Sequence, residues 1–138
     1  VLAPTRELAL QSAAEIEKLG ANRKIDTIAV YGGSSMDKQV RALEKGARVI
    51  SGTPGRVLDH LKRGTMDAPK LRILVLDEAE EMLSMGFAKE LHAIMERLPK
   101  KRQTLLFADH PQPVRPGRQA HGHDGFRRAV GPGRESLR

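Results

Sequence analysis

Asp77 and Glu78 are adjacent carboxylates at the end of an apolar run, Arg72-Ile73-Leu74-Val75-Leu76, and Glu80 follows two residues later. Side-by-side carboxylates suit a hard cation, because Mg²⁺ takes oxygen ligands and keeps several waters when it sits on a nucleotide. The same residues have a plainer use, in which Asp77 caps a helix whose first turn favours acids. Ile73 to Leu76 contain no alternating polar residue, which predicts a strand covered on both faces and hence a parallel sheet. Open α/β sheets bind ligands beyond the carboxyl ends of their strands, where Asp77 and Glu78 fall.

Three other segments carry residue types that hold phosphate: Pro4-Thr5-Arg6, Gly32-Gly33 and Thr53-Pro54-Gly55-Arg56. Glycine lets a backbone N–H approach a phosphate, helix N-termini favour anions, and arginine binds phosphate oxygens in bidentate fashion. Each segment follows a short β-branched or apolar stretch, at 1–3, 27–31 and 47–51, that reads as a strand. Each also precedes a helix. Thr5 is placed to cap one with Leu8, Ala9, Ala13, Ile16 and Leu19 as its apolar stripe, ended by Gly20. Ser34 or Ser35 caps another over residues 36–45, stopped by Gly46, and a third turns Val57, Leu58 and Leu61 inward. After the acids come a helical turn broken near Gly86, then a helix with Phe87, Leu91, Ile94 and Leu98 at helical spacing, and a fifth strand at 104–107. Strands alternating with helices form right-handed βαβ units, so the expected fold is α/β, a parallel sheet with flanking helices that brings all these loops to one edge. Taken singly, each loop is equally a tight turn with a solvated arginine.

Composition narrows the partners. The chain has 138 residues, 39% hydrophobic, with no cysteine, so thiolate metal sites and disulfides are excluded. No apolar run approaches the roughly 18 residues of a membrane span, and no basic leader precedes Val1-Leu2-Ala3, so the cytoplasm is the expected compartment. A net charge of +7 favours a polyanion, and aromatic content of 3% argues for recognition of a backbone rather than of stacked bases. Three of the seven net charges lie in residues 108–138, which leaves the remainder only mildly basic.

In order and spacing, Ala-Pro-Thr-Arg-Glu-Leu-Ala at 3–9, Gly32-Gly33, Thr53-Pro54-Gly55-Arg56 and Val-Leu-Asp-Glu-Ala-Glu-Glu-Met-Leu at 75–83 resemble the first RecA-like domain of DEAD-box ATP-dependent RNA helicases. The resemblance covers residues 1–107 and implies a RecA-like (P-loop NTPase) fold with ATP and Mg²⁺ as cofactors. It implies that Asp77 holds the Mg²⁺ of ATP through water and that Glu78 orients the attacking water. Glu80 takes the place of the acid that couples nucleotide to RNA. Pro4, Thr5, Arg6, Gly32, Gly33, Thr53, Gly55 and Arg56 become contacts to RNA phosphates. The implied activity is ATP-driven RNA unwinding or remodelling.

The chain departs from the family in three places. No G-x-x-x-x-G-K-[ST] loop occurs in the 138 residues, and the second RecA-like domain of the family is not among them. The last acid of the motif is Glu80 where the family has Asp, and Ala108-Asp109-His110 stands where Ser-Ala-Thr is expected. The expectation is therefore a partial, incomplete RecA-like domain at 1–107 that is not catalytically competent alone, with a non-catalytic RNA-backbone-binding module as the alternative. Residues 108–138 hold six arginines, no lysine, no isoleucine, five glycines and four prolines, and show neither helical nor strand periodicity. One reading is a disordered basic tail. The favoured one is a shifted reading frame, since moving one nucleotide along codons for Asp109 to Gln112 yields Thr-Ile-Pro-Ser, the family's continuation. His110, His121 and His123 read as incidental rather than as a metal site.

Overall fold

The computed structural model describes residues 1–108. Four short strands alternate with five α-helices: α1 (Arg6–Gly20), β1 (Thr27–Val30), α2 (Met36–Glu44), β2 (Val49–Gly52), α3 (Pro54–Arg63), β3 (Ile73–Leu76), α4 (Ala79–Ser84), α5 (Ala88–Arg97) and β4 (Gln103–Leu106). β1 pairs in parallel with β2, and β3 in parallel with β4. Leu2 joins the two pairs, bridging Gly52 on one side and Leu76 on the other, again in parallel. Its N–H donates to Val75 and its carbonyl accepts from Asp77, while Ala3 N–H donates to Gly52. The sheet is thus parallel throughout, and β4 is the edge strand among the described residues.

The capping chemistry follows the sequence. Thr5 Oγ1 accepts from Leu8 N–H at 3.2 Å to start α1, and Ser35 Oγ accepts from Lys38 N–H at 3.4 Å to start α2. Gly46 and Gly64 take left-handed φ values of 91° and 68° past the ends of α2 and α3, where glycine carries no Cβ penalty. Leu74 and Leu76 turn into a core formed with Val57 and Leu58 of α3, Met82 of α4, and Leu91, Ile94 and Met95 of α5. These contacts clamp the end of β3, and with it the acids, from below.

Two expectations about burial need correction. Ile73 is 54% exposed and Val75 half-buried, so β3 is covered fully on one face only. The described helix α1 packs against β1 and β2, and no described helix lies over the second face of β3 and β4. Leu105, Leu106 and Phe107 are exposed beside it. In α1, Leu19 is 84% exposed. Gly20 takes the inward position instead because the chain returns across it, and a Cβ there would stand 2.9 Å from Ile25 Cβ.

Candidate nucleic-acid interface and acid cluster

The parallel sheet delivers the ends of segment 1–3, β1, β2 and β3 to one edge, and with them every loop singled out by residue type. Pro4 is buried and shapes the turn; Arg6 is exposed and places its guanidinium carbon 5.4 Å from the centroid of the Tyr31 ring, a cation–π contact that joins the first loop to the second. Gly32 and Gly33 are exposed with open space where a side chain would be, and Gly33 has φ 79°. Thr53 N-caps α3 by backbone geometry while its hydroxyl makes no capping bond, and its N–H donates to Val30 at 3.1 Å. Gly55 is likewise open. Arg56 reaches back to the glycine loop, its Nη1 donating to the Ser34 carbonyl at 3.0 Å and to Gln39 Oε1 at 3.1 Å. The three loops therefore form one connected surface.

The acids adjoin it. Asp77 is half-buried, and its N–H donates to the Leu2 carbonyl at 2.9 Å. It is not the cap of α4. That position belongs to Glu78, whose φ of 50° and ψ of 53° are left-handed and whose side chain makes no capping bond. A β-to-helix turn completed in one residue requires this conformation, which costs a non-glycine residue about 1–2 kcal/mol. Strain held at an acidic residue beside a ligand-binding edge is typical of a functional site. Glu78 and Glu80 are exposed, and Ala79 N–H donates to Phe107 at 3.2 Å, tying α4 to the end of β4. Among the described residues no three acidic or imidazole groups gather as a self-sufficient metal cage. The donors fit the other mode of Mg²⁺ binding, one or two carboxylates acting with waters and nucleotide phosphates. The Ala108-Asp109-His110 segment and the three histidines of the tail fall, from Asp109 onward, outside the described residues. A shallow cleft of about 500 Å³ lined by Arg72, Lys100, Lys101, Arg102 and Gln103 lies at the start of β3 and β4, the opposite edge, and does not belong to this site.

Sequence reasoning missed two residues behind the loops. Gln39 and His60 are buried, at 4% and 0% exposure. Gln39 Nε2 donates to the Tyr31 carbonyl at 3.1 Å, and its Oε1 faces His60 Nε2 at 2.9 Å. Since the Tyr31 carbonyl can only accept, the amide orientation is fixed, so His60 Nε2 carries the proton and Nδ1 accepts from Thr65 Oγ1 at 2.8 Å. The available signal was a glutamine among the inward residues of α2, near Met36 and Leu43, and a histidine beside Val57 and Leu61 on α3. Burial, and next the positive charge of Arg56, hold the His60 pKa below its ordinary 6.5; Asp59 opposes this and Arg63 adds to it. Neutral His60 thus contributes stability that is fully present above about pH 6.5, the unfolded value, and is lost as pH falls from there through the lower folded value. Urea melts across this range should show a steeper acid-side loss in the parent chain than in His60→Gln; parallel curves would rule out a buried neutral ring.

The comparisons with known proteins agree with this geometry. A family model described as DEAD/DEAH box helicase matches residues 1–108. The chain is 49% identical over 116 residues to the DEAD-box ATP-dependent RNA helicase CshA of Geobacillus kaustophilus, covering 83% of this chain and 25% of that protein. It is 50% identical over 108 residues to the protein of the same name from Streptococcus pneumoniae, covering 78% and 21%. Among solved structures, a DEAD box protein from the hyperthermophile Methanococcus jannaschii superposes with a TM-score of 0.76 at 45% identity, covering 80% of this chain and 30% of that one. The yeast DEAD-box splicing factor Prp28 superposes with a TM-score of 0.72 at 31% identity, covering 82% and 28%. The chain spans between a fifth and a quarter of the length of these curated relatives.

Proposed function

The chain belongs to the DEAD/DEAH box helicase family, and we propose that it supplies the RNA-backbone grip and one wall of the Mg-nucleotide site of an ATP-driven RNA helicase. The observation that carries this reading is the joining of the three phosphate-type loops into one surface through Arg6 on Tyr31 and Arg56 on Ser34. In it, Arg6 and Arg56 supply charge, Gly32, Gly33 and Gly55 let the RNA backbone approach, and the Thr5 and Thr53 hydroxyls donate to phosphate oxygens. Pro4 shapes the first loop from beneath. Asp77 holds Mg²⁺ through water, Glu78 orients the attacking water, and Glu80 faces the nucleotide-coupled side. Mg²⁺, when bound with ATP, neutralises charge on the transferring phosphoryl group.

Within these 138 residues no G-x-x-x-x-G-K-[ST] loop cradles the phosphates, so we assign the chain by itself RNA binding without turnover. The same feature favours a second reading, a non-catalytic RNA-backbone-binding module. Anisotropy of a labelled single-stranded RNA separates binding from inertness. We expect log K to fall with log salt at about −0.7 per phosphate contact, and Arg6→Ala to flatten that slope by about one contact at every sequence tested. Binding that ignores salt would defeat the RNA reading. RNA-stimulated ATP hydrolysis that Asp77→Asn abolishes would show instead that the chain is an active enzyme.

A further inference from the structure

We infer that Gln39 is a positioning residue that, with His60 behind it, locks the Gly32–Gly33 loop to the Thr53–Arg56 loop so that both meet the RNA backbone as one rigid unit. The inference rests on the RNA-backbone reading given above. Gln39 is the single side chain bonded to both sides: its amide N–H holds the carbonyl of Tyr31, the residue before Gly32, and its Oε1 receives Arg56 Nη1. Arg56 completes the loop through the Ser34 carbonyl, the residue after Gly33. Gly32-Gly33 is thereby pinned on both flanks, although neither glycine has a side chain to anchor it.

His60 explains why Gln39 can do this. An amide oxygen has two lone pairs, and here Arg56 takes one while His60 Nε2–H takes the other, so the glutamine cannot rotate without leaving buried donors unpaired. Thr65 Oγ1 fixes the far side of the ring. The consequence for Arg56 is directional. With Nη1 committed to the lock, the guanidinium is held in one orientation, and its other nitrogens make no hydrogen bond among the described residues. An arginine prepaid in this way loses less freedom on meeting phosphate than one free in solvent.

The test measures RNA affinity of the full chain for a dye-labelled oligouridylate across a salt series, comparing the parent with Gln39→Met, which keeps the side-chain length and removes both bonding functions. Affinity is expected to fall about tenfold, with a salt slope shallower by about one contact because Arg56 is no longer aimed. Adding Gln39→Met to Arg56→Met is expected to cost nothing further, since the glutamine acts through the arginine. Parent affinity and slope in Gln39→Met, or penalties that add, would overturn the inference. A parent chain that shows no salt-dependent binding would overturn the RNA reading itself, and the lock is then read without RNA. Amide hydrogen exchange over residues 32–35 should quicken in Arg56→Met, a variant at a half-buried position. Unchanged exchange there refutes the lock whatever RNA does and whether or not Gln39→Met folds.

Discussion

Gly52→Ala is expected to destabilise the chain by about 3 kcal/mol or more, at the upper end of what overpacking a core produces. A Cβ at this position would meet Val30 and Val57 side chains, the latter at 2.7 Å, and stand 2.5 Å from the Val30 carbonyl oxygen. Side chains could yield, but that oxygen cannot, because it accepts the Thr53 N–H that starts α3. Gly52 is also bonded on its other edge, to Val1 and Ala3, so the strand has no direction in which to retreat. The measurement is a urea melt beside Gly55→Ala, where nothing lies within 4 Å of the added methyl. A Gly52→Ala midpoint equal to that of the control would show that β2 and α3 are not packed as described.

The second large effect is expected from Leu76→Ala. Leu76 is fully buried, in a core with Met82, Leu91 and Ile94, and truncating such a leucine costs about 2–5 kcal/mol through lost transfer energy and the cavity left behind. It also immediately precedes Asp77, so loosening the strand end releases the acid as well as the core. Leu105→Ala, on an exposed leucine of the neighbouring strand, should cost far less. Equal losses from the two, by chemical denaturation, would contradict the one-sided burial of β3.

The alternation of strands and helices, the caps Thr5 and Ser35, and the arrival of three phosphate-type loops and two acids at one edge were legible because each depends on local residue type and on the handedness of parallel connections. The misses have a common physical cause. Ile73 reads as core because burial of a β-branched residue depends on what lies over the sheet, which no local pattern encodes. Glu78 gave no sign of its left-handed backbone, since glycine or asparagine is the usual marker of that region and tertiary packing imposed it here. Gln39 and His60 were passed over because polar residues default to the surface, and only their mutual hydrogen bonds make burial tolerable. Asp77 as a helix cap was an even alternative in the sequence, and the turn taken by Glu78 removes it.

The position of Leu2 also governs the order in which this molecule can assemble. It sits in the middle of the sheet, between strands that come about fifty and about seventy-five residues later in the chain. Closing those long intervals costs entropy before any contact returns it, so the central seam forms late, after α3, α4 and α5 have gathered around β3. Until then β2 and β3 each present an open edge to the other. Refolding should therefore be slow for a domain of this size, and most vulnerable to wrong strand partners in the interval before residues 1–3 slot home.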